Sequence, residues 1–216
     1  MSENRMAGKA DMTEFKAETY GFWAAVIATV LLIFSGITAS TALKIPSLVS
    51  GILLVPAFVL LMASIHECAP AGRKAFSQLG LLFSLGYAVL IGFNYYMQLT
   101  LVPKGLYSVP FAMDDPQSVM WVIEVLGYGF MGFSTLFASW SFGKGTLEHA
   151  VRWLFIVNGI LGIGGMIGYA IGLSMSVLFV GLLVWDVIMP ASTILLALVF
   201  RSAQRKKARA TTLVSG

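Results

Sequence analysis

Six stretches of about twenty or more mostly apolar residues follow one another along this chain, at 21–43, 47–67, 77–102, 117–142, 149–172 and 174–200. A helix needs about 20 apolar residues to cross the hydrocarbon core of a bilayer. Each stretch is therefore long enough to span. Only one connection, 103–116, is of any length, and Gly172-Leu173-Ser174 leaves room for nothing but a tight hairpin between the last two. Soluble domains are roughly 45–50% apolar and about 25% charged. Here the figures are 58% and 11% of 216 residues, too little charge to cover a surface in water. A water-soluble enzyme, a nucleic-acid-binding domain and a disordered protein are excluded. The expected fold is an all-α, polytopic integral membrane protein of the cell membrane. Residues 20–200 form one six-helix domain between a tail at 1–19 and a basic tail at 201–216.

Lysine and arginine set the expected orientation. In a six-span arrangement one side receives Arg5, Lys9, Lys16, Arg73, Lys74, Lys144, Arg152, Arg201, Arg205, Lys206, Lys207 and Arg209, and the other only Lys44 and Lys104. The positive-inside rule places both termini in the cytoplasm. The long polar tail and long apolar run mark the first stretch as a retained helix rather than a signal peptide. The basic run at 201–210 is expected to attract anionic lipids, at about 1 kcal/mol per charge, or to act simply as a topology-fixing flank.

Buried polar groups are costly in lipid, so each is a candidate for function. Glu124 lies about 9 Å below the outer end of span four at 1.5 Å per residue. Asp186 lies near mid-depth in span six. Tyr87, Asn94 and Gln98 share one face of span three. Glu124, Tyr128, Thr135 and Ser139 share one of span four, and Asn158, Gly162, Gly165 and Tyr169 one of span five. Such stripes face the bundle interior. The expectation is an outward-opening polar pocket between spans three and six, with Glu124, Asp186, Asn94, Gln98, Asn158, Tyr128 and Tyr87 as its ligand-binding residues. Interhelical hydrogen bonds without a cavity are the alternative, stronger for the amides than for the two acids. Pro190 removes the helical partner of the Asp186 carbonyl, predicting a bend at 186–190. Asn158, at a similar depth from the hairpin, is the expected neighbour of Asp186.

Cofactor chemistry has little to work with. One cysteine, Cys68, excludes an internal disulfide and a cysteine-ligated iron–sulfur cluster. No lysine lies within a span, which excludes a retinal Schiff base. His66 and His149, at the cytoplasmic boundary, are the weak metal or haem candidates. Ordinary ion pairing fits that boundary better, with Glu148 four residues before Arg152. Asp115 and Pro116 read as N-cap and first residue of span four. The loop before them, with Tyr107 and Phe111, reads as a lid or an interfacial anchor. Gly164, Gly168 and Gly172 recur every four residues, a small-residue ridge for close helix packing within the chain or in a homo-oligomer.

The segments IGFNYYMQLTLVP at 91–103, WVIEVLGYGFMGFSTLFAS at 121–139 and RWLFIVNGILGIGGMIGYAIG at 152–172 resemble parts of small bacterial and archaeal integral membrane proteins of unknown function. The resemblance implies that Asn94, Gln98, Glu124 and Asn158 belong to one family pattern. It carries no activity.

No nucleophile triad, phosphate loop or metal-binding helix motif occurs. The expected function is therefore a carrier or ligand-binding protein for a cation, a proton-coupled solute or a small amphiphile. The alternatives are a noncatalytic subunit or assembly factor of a membrane complex, and a membrane enzyme acting on a lipid or isoprenoid with Glu124 or Asp186 as acid or base.

Overall fold

A computed structural model of the chain describes residues 2–40, 44–101, 104 and 117–215. It is all-α. The helices are α1 (Ser2–Ser40), α2 (Lys44–Cys68), α3 (Lys74–Leu101), α4 (Val119–Ser139), α5 (Thr146–Ala170) and α6 (Met175–Ser215), with a short 3₁₀ turn at Ala71–Arg73 before α3. All six are long and apolar enough to cross a membrane. The tails differ from their sequence reading as flanks: α1 begins at Ser2 and α6 runs on to Ser215, so both continue as helix.

The helix ends have local causes. α4 is capped by Ser118, whose Oγ accepts from the Trp121 N–H at 3.3 Å. The expected cap, Asp115 with Pro116, lies outside the described residues, as do Tyr107 and Phe111 of the expected lid. α5 ends as the tight hairpin required. Gly172 takes φ +78°, Gly172 N–H donates to the Tyr169 carbonyl at 3.1 Å, and Leu173 N–H donates to Gly168 at 2.8 Å. Those paired bonds define a Schellman cap, and a left-handed residue at that place is why glycine stands there. α6 passes through Pro190 as one helix.

The helices alternate in direction and form a ring. Each packs on its neighbours in the chain, and α6 returns to pack along α1. The closing seam is specific. Thr29 Oγ1 donates to Thr193 Oγ1 at 2.7 Å, and Phe200 sits against Gly21. The Arg201 guanidinium lies 5.4 Å from the Phe22 ring centre, and Lys207 Nζ meets Glu18 Oε1 at 3.1 Å. Interior and exterior are both apolar. Phe58, Leu61, Met62, Met131, Phe155 and Leu196 are buried, while Val30, Val89 and Val187 are each more than 60% exposed on the outer faces. Soluble monomers rarely present such a continuous apolar exterior.

Glycines decide how closely α4 and α5 approach. A Cβ placed on Gly132 would lie 3.0 Å from the Ile163 nitrogen and 3.1 Å from the Gly162 Cα, and one on Gly159 would lie 3.0 Å from the Gly132 carbonyl oxygen. The backbones touch there. The sequence had suggested Gly164, Gly168 and Gly172 as the packing ridge. Gly164 has open space around it, Gly168 faces the hairpin residue Leu173, and Gly172 serves the turn. The seam is Gly132 with Gly159 and Gly162, on another face of α5.

Candidate functional site

The packing core fills the half of the ring near the chain termini. In the other half, next to the α1–α2, α3–α4 and α5–α6 connections, the ring encloses a cavity of about 660 Å³. Small-molecule pockets commonly measure about 300–1,000 Å³. The sequence reading gave its walls to α3–α6. Instead all six helices contribute, with Leu32 and Ser35 from α1 and Ser47, Gly51 and Leu54 from α2. Nothing polar enough to stand out marks those two helices, which is why the sequence concealed them.

Glu124 is the centre of the polar wall. It projects from α4, is 7% exposed, and both its oxygens are held from α3. Asn94 Nδ2 donates to Oε2 at 2.5 Å, and Tyr95 Oη donates to Oε1 at 2.6 Å. Both oxygens accept, as a carboxylate's do. Asn94 Nδ2 also reaches the Met120 carbonyl at 3.3 Å, fixing the amide between two turns of α4. The Tyr95 and Tyr128 hydroxyls are 3.3 Å apart, and the Tyr128 ring stands edge-on to Trp185 of α6 with centroids 5.0 Å apart. A connected polar and aromatic wall thus runs from α3 across α4 to α6.

Of the residues predicted from sequence, Glu124, Tyr128, Tyr87, Gln98 and Asp186 line the cavity. Tyr87 lies at its deep end, where its ring meets Phe58 at 5.3 Å. Asn94 and Asn158 do not line it. Asn94 is fully buried behind Glu124 and acts as its support. Asn158 Nδ2 donates to Thr135 Oγ1 of α4 at 2.8 Å, so this amide joins α4 to α5 and not to Asp186. Asp186 is exposed on the cavity wall and makes no hydrogen bond among the described residues. Two amides expected in the pocket thus serve packing, and one acid expected to be paired faces open space. Tyr95 is the candidate site residue that the sequence did not single out. Gly51 of α2 makes room for it, since a Cβ there would collide with the Tyr95 ring.

The two histidines lie toward the opposite end of the bundle. His66 Nδ1 is 2.9 Å from Ser77 Oγ, and Trp153 Nε1 donates to His149 Nε2 at 3.0 Å, which places the two histidines in separate local pairs. No group of three His, Cys, Asp or Glu side chains that could hold a metal occurs among the described residues. Arg152, expected to pair with Glu148, lies instead 5.0 Å above the Trp140 ring.

The chain is thus an apolar six-helix ring with an acidic, aromatic-walled cavity in one half. No protein-family model, no curated protein and no solved structure matches it.

Proposed function

We propose that this protein is a multi-pass protein of the cell membrane that binds a small amphiphilic solute in its half-bundle cavity, as a carrier or a ligand-binding protein. The observation that carries the reading is Glu124. A carboxylate in an otherwise apolar bundle is costly. Here it is held by two donors on the wall of an open cavity, where a solute can reach it. A purely structural acid would be expected against a filled wall.

The apolar exterior supports membrane insertion, and the charge asymmetry supports an orientation. The α2–α3 turn, the α4–α5 turn and the end of α6 carry Arg73, Lys74, Lys144, Arg201, Arg205, Lys206 and Lys207, whereas the cavity end has Lys44 and Lys104. By the positive-inside rule the termini are cytoplasmic and the cavity faces outward. The basic end of α6 then lies at the inner headgroups, where anionic lipids are attracted. Reporter fusions at residue 74, at residue 144 and at the C-terminus should read cytoplasmic, and a fusion at residue 108 external. An externally accessible C-terminus would refute this orientation.

Access to the cavity is tested separately. In a Cys68→Ser background on intact cells, Val125→Cys on the cavity wall should react with N-ethylmaleimide. Val187→Cys, on a side chain 70% exposed at the outer face of α6, should stay unmodified in lipid. Gly165 lines the cavity with nothing within 4 Å of a Cβ placed there. Gly165→Phe should therefore project into the cavity and slow Val125→Cys labelling at least tenfold. If Val125→Cys were as inert as Val187→Cys, the solute-accessible cavity would have to be abandoned.

A further inference from the structure

We infer that the solute is a lipophilic organic cation, a quaternary or tertiary onium centre carrying an apolar body. The inference rests on the cavity reading above and adds the charge and shape of the occupant.

Three features of the wall converge. The first is charge. Among the described residues, Glu124 and Asp186 are the two acids that line the cavity, from α4 and α6, and Lys44, the first residue of α2, is the one lining base. Lys44 is exposed at the end of the bundle, roughly 10 Å along the helix axis from Gly51, which meets Tyr95, so it marks the rim rather than the polar wall. An anionic solute would have to sit beside two carboxylates. A cation would meet both in surroundings where charge is weakly screened.

The second feature is the aromatic lining. Tyr87, Tyr95, Trp121, Tyr128, Phe179 and Trp185 all contribute. They form two edge-to-face pairs, Tyr128 with Trp185 at 5.0 Å and Trp121 with Phe179 at 6.1 Å. Ring faces attract cations through their quadrupole, tryptophan most strongly, and groups of rings of this kind recognise onium centres. Trp185 and Asp186 are consecutive, and the Tyr128 ring that meets Trp185 carries the hydroxyl beside Tyr95. The aromatic surface therefore bridges the two acids.

The third feature is what the wall lacks. A hard metal cation requires six or so oxygen ligands, and among the described residues no cluster of three acids, histidines or cysteines exists to start one. Most of the remaining lining is Leu, Ile, Val, Met and Gly, which suits an apolar body and offers a hydrated inorganic ion nothing. Asp186, with no hydrogen bond among the described residues, is left available to the occupant.

The test uses two ions of one shape and opposite charge, tetraphenylphosphonium and tetraphenylborate. Both are titrated calorimetrically into the full chain in nanodiscs of zwitterionic lipid, with empty nanodiscs subtracted. Tetraphenylphosphonium should bind saturably, one per chain, and tetraphenylborate should not. Glu124→Gln and Asp186→Asn should each weaken tetraphenylphosphonium at least tenfold, and Trp185→Phe at least threefold. Should Glu124→Gln fail to fold, Asp186→Asn, at an exposed position without a hydrogen bond, still decides the matter. Saturable tetraphenylborate binding of equal affinity, or unchanged tetraphenylphosphonium binding in Asp186→Asn, would overturn the inference. If neither ion saturates while Val125→Cys remains reactive, the cationic class falls and the cavity stands. If Val125→Cys is inert as well, both fall.

Discussion

Replacing Gly162 with valine should cost the folded bundle about 3 kcal/mol or more. A Cβ there would lie 2.7 Å from the Tyr128 carbonyl oxygen and 3.0 Å from the Gly132 Cα. Overpacking a filled interior costs about 1–3 kcal/mol when side chains can give way. Here the obstacle is backbone, so relief requires α4 and α5 to separate. For a chain of this size each kcal/mol moves the thermal midpoint by about 2–4 °C, which places the loss at roughly 6–12 °C. Gly164→Ala is the matched control. Nothing lies within 4 Å of its Cβ, so the substitution should be neutral or stabilising, by up to about 1 kcal/mol from helix propensity. Thermal unfolding of the two purified variants checks both signs. The regular spacing of Gly164, Gly168 and Gly172 would have predicted the reverse order. A larger loss at Gly164 than at Gly162 would reject the seam described.

Asn94→Leu carries the second large effect. It removes the 2.5 Å donor to Glu124 Oε2 and leaves a buried carboxylate oxygen without its partner. Hydrogen bonds to charged groups contribute about 1.5–3 kcal/mol, and breaking a buried charged interaction from one side costs about 3–5 kcal/mol. A loss of about 3 kcal/mol is expected. In a Glu124→Leu background the same substitution should cost under about 1 kcal/mol, because the group it served is gone. Neutral interhelical hydrogen bonds in membranes average about 0.6 kcal/mol. A single-variant loss that small would mean that Asn94 is ordinary packing and that Glu124 does not depend on it.

The number of helices and their alternation were legible because lipid-spanning length and short connections leave few other arrangements. The ring closure of α6 on α1 was not. The spanning parts of both helices are apolar on most of their surface, so no clear pattern in the sequence marks which side of each meets the other. Glu124, Tyr128, Tyr87 and Gln98 were legible because a polar residue in an apolar run stands out, and helical spacing puts it on a definite face. Tyr95 was hidden beside Tyr96. Two adjacent tyrosines point about 100° apart on a helix, and only the structure shows Tyr95 inside and Tyr96 62% exposed. Asn158 and Asp186 lie at similar counts from the hairpin, which suggests a pair. Depth does not fix rotation, however, and Asn158 is turned toward Thr135.

The closure of α6 on α1 also has a consequence for synthesis. Most other packing between helices joins neighbours in the chain and can form as each hairpin emerges. The Thr29–Thr193 and Glu18–Lys207 contacts have to wait for the last helix. Until then the chain is an open trough, with Glu124 facing a side that nothing yet covers. A nascent or truncated protein ending before α6 therefore has no enclosed chamber, only a groove with an acid along it. Completion of translation is what encloses the compartment.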